Sequence, residues 1–265
     1  MEMEKISMEF MSYKEKVLSV AKNAFERIIN GKFKEIKEIR EDKENEKSLI
    51  FEFARYGENY FQNDGVRLMV VGRAAGKFKR PKVGLAVIKQ GSNGINISEE
   101  QIEKCFNEYH YEEKALSWIH KKEADDKFYL DSKPFFGFSK KIYLELSKEG
   151  ENPEWFKNIC YTNLCKIIST EGGNPSEKLI HAQMKRDMLE LLKIEIDYYR
   201  PTHILVLDSA TEEHSWSTKE FKEEMRAYVS EQEPGIKICF SNRPEYRGNN
   251  ELMKQEELIE LMEEV

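Results

Sequence analysis

A chain of 265 residues, 40% hydrophobic and 34% charged, has the material for one α/β domain plus extensions beneath a heavily charged surface. Its net charge of −7 argues against a general polyanion binder, because phosphate affinity comes from Lys and Arg that release counterions. No apolar run approaches the roughly 20 residues that span a bilayer, the N-terminus lacks the apolar stretch of a signal peptide, and the four cysteines have no framework spacing. A cytoplasmic protein without membrane association is therefore expected.

Residues 8–29 carry apolar side chains at helical spacing and end on Asn30-Gly31, a suitable C-terminal cap. Residues 37–47 are too charged for a core and predict an exposed helix or connector. Residues 48–62 contain Ile50, Phe51, Phe53, Ala54, Tyr56, Tyr60 and Phe61, and predict an aromatic-rich helix facing the core. Asp64-Gly65 is a turn signal. The run Val66-Arg67-Leu68-Met69-Val70-Val71 follows, closed by Gly72, and predicts a parallel strand buried on both faces. Residues 97–124 predict a helical insertion covering one edge of the site. Strands of the same apolar character are predicted at 157–164, 203–207 and 236–240, with helices at 139–148, 177–199 and 218–231 between them. That alternation indicates βαβ units, a parallel sheet with helices on both sides, and one core.

In an open parallel sheet a ligand lies beyond the carboxyl ends of the strands, so the residues that follow each strand are the ones to read. The first group is Gly72-Arg73-Ala74-Ala75-Gly76-Lys77, whose small residues let backbone approach a ligand closely. It is neither a P-loop nor a dinucleotide fingerprint. It opens a stretch, residues 71–90, that contains six basic residues and no acid. Such a run suits a nucleic-acid face on an acidic protein, and equally a solvated loop. The second group is Thr162-Asn163-Leu164-Cys165-Lys166. Asn163 can present donor and acceptor together, which suits an amide-like base edge, although an Asn there can also merely cap a turn. The five histidines form no metal spacing, and His214 reads as a surface or structural residue. No metal and no cofactor are expected.

Taken in order, residues 66–76, Pro134-Phe135-Phe136-Gly137-Phe138, residues 158–166 with Gly172-Gly173-Asn174-Pro175, and Arg200-Pro201-Thr202-His203-Ile204-Leu205-Val206-Leu207 resemble the uracil-DNA glycosylase superfamily. The resemblance covers roughly residues 64–250. It implies a three-layer α/β/α fold with a central four-stranded parallel sheet and a base-sized pocket at the strand ends. The chain would then divide into an N-terminal helical extension (1–63), the α/β domain (64–250) and a C-terminal helix (251–265). On this analogy Phe136 or Phe138 stacks on the base and Asn163 reads its polar edge. Residues 72–77 hold the sugar and water, Lys166, Tyr246 and Arg247 join the nucleic-acid contacts, and Ser241 to Tyr246 lie against the leaving base. Base excision needs such a flipped, gripped base and a stabilised leaving anion.

The departures are specific. Arg73, Ala74, Ala75 and Lys77 offer no carboxylate or amide to orient an attacking water. The family's terminal His-Pro-Ser becomes Arg243-Pro244-Glu245, where Arg243 can stand in as a fixed cation. Asp208 and Glu245 are then the acids nearest in sequence for water activation. Some members carry a four-cysteine iron–sulfur cluster. Here Cys160 and Cys165, with Cys105 and Cys239 remote, read as buried structural thiols. Two functions follow: a monomeric protein that binds DNA, a nucleobase or a nucleotide and hydrolyses the N-glycosidic bond of a modified base, or a non-catalytic binding module of the same fold. An unrelated small-molecule α/β enzyme is the third reading.

Overall fold

The computed structural model describes residues 2–41, 48–74, 88–91, 94–111, 116, 134–169, 174–185, 187–208, 215–232, 235–242, 244 and 260. The chain is a mixture of helix and sheet, as expected of the α/β class, and divides into two compact units that interleave along the sequence. The first gathers Met1–Phe53, Arg73–His110 and Asn163–Tyr198. The second gathers Ala54–Gly72, Tyr111–Thr162 and Tyr199–Val265.

In the first unit, helix α1 (Glu2–Asn30) buries Val17, Ala21, Ala24, Phe25 and Ile28, the one-sided spacing of a 3.6-residue period. It ends where Asn30 Nδ2 donates to the Glu26 carbonyl (2.9 Å) and the Gly31 amide donates to the Ile28 carbonyl (3.0 Å), as the Asn-Gly pair predicts. Helix α2 (Lys34–Glu41) is charged but turns Ile36 and Ile39 inward. A four-stranded antiparallel sheet follows, in the order β5-β4-β1-β7, from β1 (Leu49–Phe51), β4 (Ile88–Gly91), β5 (Gly94–Ile97) and β7 (Ile167–Ser169). Helices α3 (Glu99–Tyr111), α5 (Glu177–Met184) and α6 (Asp187–Tyr199) complete the unit's regular structure. A chain of rings, Phe25 to Phe51 (5.7 Å), Phe51 to Phe53 (4.7 Å) and Phe53 to Phe106 (5.2 Å), joins α1, the β1 segment and α3.

The second unit holds the apolar strands read from the sequence. Strands β2 (Arg55–Tyr56), β6 (Ile159–Asn163), β3 (Leu68–Gly72), β8 (His203–Asp208) and β9 (Lys237–Asn242) form a five-stranded mixed sheet in the order β2-β6-β3-β8-β9. Strand β8 runs parallel to β3 (Val71 opposite Val206) and to β9 (Asp208 opposite Asn242), whereas β2 runs antiparallel to β6. All five residues of β3 are buried, as a strand covered on both faces requires. Helices α4 (Pro134–Ser147) and α7 (Lys219–Gln232) belong to this unit, and Pro134 sits where its missing N–H costs no hydrogen bond.

Three expectations need correction. The sheet that contains the four predicted strands has five, with an antiparallel edge. The predicted helix over residues 48–62 is instead β1, β2 and a 3₁₀ turn at Tyr60–Gln62. Its residues bury all of Leu49, Ile50 and Phe51, so the run carried no alternation to distinguish strand from buried helix. The helix predicted at 177–199 is two helices, α5 and α6. Of the expected C-terminal helix, residue 260 is described, and it is helical.

Candidate functional site

The chain leaving β6 makes a sharp polar corner, and Asn163 stands at its entrance. From Asn163 to Ile167 every described side chain is buried, so each backbone polar group needs a partner inside the protein. Those partners come from three directions. The Cys165 amide donates to the Arg73 carbonyl (2.8 Å), which ties the corner to the residue that follows β3. Gln183 of α5 accepts from the amides of Lys166 (3.1 Å) and Ile167 (2.9 Å), and its Nε2 donates back to the Ile167 carbonyl (3.1 Å). The Glu52 amide donates to the Lys166 carbonyl (2.8 Å), extending the pairing of β1 with β7 by one step.

That last bond brings the Glu52 side chain to Asn163. Asn163 Nδ2 donates to Glu52 Oε2 at 3.0 Å, with Asn163 3% and Glu52 4% exposed. The atom that faces the carboxyl group is the amide nitrogen, so the carboxamide oxygen is turned away from Glu52 Oε2. Beneath the corner, Lys166 Nζ donates to Glu195 Oε1 of α6 at 2.6 Å, in a pair exposed by no more than 1%. Two charges at that depth are tolerated because they neutralise each other.

The sequence-derived candidates divide clearly. Asn163, Arg73 and Ala74 belong to the first unit with Glu52, and Ala74 is buried. Gly72 ends β3, buried. Lys166, expected to contact nucleic acid, is committed in the interior to Glu195, which removes it from that role. Phe136 and Phe138 lie on α4 in the core of the second unit, where Phe136 packs on Phe135 (5.0 Å) and Tyr161 (5.8 Å). Asp208, a candidate base, accepts four hydrogen bonds: from Ser215 Oγ (2.6 Å), Trp216 N (3.0 Å), Ser217 N (2.9 Å) and Ser217 Oγ (2.6 Å). Burial pushes the Asp208 carboxyl up, but those hydrogen bonds outweigh it and hold the group below its ordinary 3.8. A carboxylate so stabilised is a poor proton acceptor, and its work is to hold residues 215–217 ahead of α7. Ala75, Gly76, Lys77, Arg243, Tyr246 and Arg247 lie outside the described residues, as does Glu245.

Glu52 and Glu195 went unread in the sequence. Glu52 was signalled by a lone acid inside the apolar run Leu49-Ile50-Phe51-Glu52-Phe53-Ala54, since a buried acid implies a buried partner. Ser241, near the end of β9, is fully buried and its hydroxyl has no hydrogen-bond partner among the described residues. Cys105, Cys160, Cys165 and Cys239 are buried and in no disulfide, and burial pushes the Cys239 thiol up to about 11. Among the described residues no group of His, Cys, Asp or Glu could hold a metal ion, and no helix is long and apolar enough to cross a membrane. Comparison with protein-family models, with curated proteins and with solved structures finds no match to this chain.

Proposed function

We propose that this chain is a uracil-DNA glycosylase-like protein that binds a nucleobase, free or in DNA, beside the carboxyl end of β6, with Asn163 reading the base edge. The observation that carries this reading is the buried hydrogen bond from Asn163 to Glu52, which fixes a donor–acceptor side chain at a strand end. The contiguous strand order β6-β3-β8-β9, with β3, β8 and β9 parallel, supports it as the core of the sheet that such a fold requires. The basic residues between 71 and 90 add a sequence feature suited to a nucleic-acid backbone. Recognition leads over hydrolysis for a chemical reason. The loop after β3 begins Arg73-Ala74 with no acid, and Asp208 is occupied as a loop anchor.

The test uses single-stranded oligonucleotides that carry one uracil, hypoxanthine or xanthine, assayed for binding by fluorescence anisotropy and for base release by alkaline cleavage. Binding that weakens steeply with salt and is lost in Asn163→Ala is expected. Base release, also lost in Asn163→Ala, would add hydrolysis to recognition. An absence of affinity for oligonucleotides and free bases alike overturns the reading.

A further inference from the structure

Strand β9 ends the five-stranded sheet, and among the described residues no strand pairs with its outer side. Its pairing with β8 runs without a bulge from Lys237 opposite His203 to Asn242 opposite Asp208. In a parallel ladder alternate residues turn both main-chain groups toward the same neighbour. The Lys237 amide donates to the Thr202 carbonyl (3.0 Å), so Lys237, Cys239 and Ser241 address β8. Ile238 and Phe240 therefore turn their N–H and C=O groups outward, where no described residue bonds to them. Such a row of donors and acceptors is a template for a further strand. The run Ile238-Cys239-Phe240 carries no proline and no charge, two devices that commonly guard a sheet edge.

Charge beside this edge selects the occupant. The Arg226 guanidinium lies 5.0 Å from the centroid of the Phe240 ring, and Lys222 Nζ lies 5.9 Å from the same centroid. The two cations stand four residues apart on α7, so they form one row on that helix. Glu223, between them in sequence, pairs with Lys219 instead (3.9 Å). Two copies of the chain joined edge to edge about a two-fold axis would bring both cationic rows together, and like charges oppose that pairing. An acidic strand meets the row with the opposite sign. We propose that the outer edge of β9 binds an extended acidic segment of another protein, which adds to the sheet as a further strand. Main-chain hydrogen bonds to Ile238 and Phe240 hold that segment in place. Side chains alternate along a strand, so every second residue of it lies on the α7 side, where acids meet Lys222 and Arg226. This surface does not depend on Asn163 or on base binding.

The probe is a short fluorescent peptide in which Glu alternates with Val, with two controls: Lys in place of Glu, and the acidic peptide N-methylated on alternate amides. Anisotropy with the full-length protein should show saturable binding of the acidic peptide, about tenfold or more tighter than either control. Ile238→Pro removes an outward N–H without removing a bond to β8, so it should abolish binding while leaving the unfolding temperature near that of wild type. Lys222→Glu combined with Arg226→Glu changes no residue of β9 and should reverse the preference toward the Lys peptide, which keeps the test open if the proline variant does not fold. Amide hydrogen exchange locates the contact. Cys239 and Ser241 should be protected throughout, whereas Ile238 and Phe240 should exchange rapidly until the acidic peptide is added. No binding, equal binding of the N-methylated peptide, or exchange at Ile238 and Phe240 that the peptide leaves unchanged overturns the proposal. Displacement of the peptide by oligodeoxythymidylate also overturns it, because the cations would then serve a nucleic acid. A dimer that Ile238→Pro abolishes would make a second copy the occupant and reject the acidic partner.

Discussion

Lys166 and Glu195 illustrate what a buried charge does at this corner. The pair is sealed from water, so each side chain has the other as its close opposite-charge partner. Lys166→Met should therefore cost about 3–5 kcal/mol, because it strands a carboxylate in the interior. The double change Lys166→Met with Glu195→Leu should recover most of that loss, since apolar replacement of a whole buried pair is often near neutral. Urea unfolding of the three proteins measures both values. Asp208 behaves differently because its partners are hydroxyls and amides. Its folded pKa is depressed below 3.8, so the stability it adds is fully present above that value and is lost as pH falls through the lower folded value. Asp208→Asn should cost about 1–3 kcal/mol near pH 7. The gap to wild type should narrow in unfolding experiments taken toward pH 3, as the native carboxylate begins to protonate. A gap that widens on acidification contradicts this assignment.

Individual elements show which parts of the fold a sequence can carry. Strands β3, β8 and β9 were legible because each is built on a short apolar run, Leu68 to Val71, Ile204 to Leu207 and Ile238 to Phe240, bounded by turn or helix signals. The antiparallel sheet of the first unit was not. Its strands have three or four residues each, and β1 finds its partners near residues 88 and 167, so no local period announces them. Glu52 was hidden for the same reason. It meets Asn163 across 111 residues, and only the register Phe51 opposite Ile167 brings them together. Asn163 itself was legible because a polar residue ends an apolar strand. A close approach between elements was equally invisible: at Gly57, a Cβ would lie 2.2 Å from the Lys157 carbonyl oxygen. The 157–159 segment passes so near because the Gly57 amide donates to the Ile159 carbonyl and the Asn59 amide to the Lys157 carbonyl, both at 2.9 Å. The obstacle is backbone rather than a side-chain tip. Gly57→Ala should thus lose about 1–3 kcal/mol in thermal or urea unfolding, with β2 pushed off β6.

At the scale of the whole chain, each compact unit is assembled from three separate segments, so sequence boundaries and structural boundaries do not coincide. Residues 64–250, the span proposed above as glycosylase-like, contain all but the first strand of the five-stranded sheet. They omit Met1–Phe53, which supplies the first unit with α1, α2 and β1. That segment buries Phe25, Ile28, Ile39, Leu49, Phe51 and Phe53, all within 3% of complete burial. At about 1.5–3 kcal/mol for each such side chain, the loss rivals the entire net stability of a domain, about 5–15 kcal/mol. It also deletes Glu52, the buried acid to which Asn163 Nδ2 donates. A fragment of residues 64–250 should therefore fail to unfold cooperatively, and should bind the apolar dye that reports exposed core where the full chain does not. If the fragment instead melts in a single sharp transition, the 64–250 segment is autonomous. Residues 1–53 would then be an accessory to a core that stands without them.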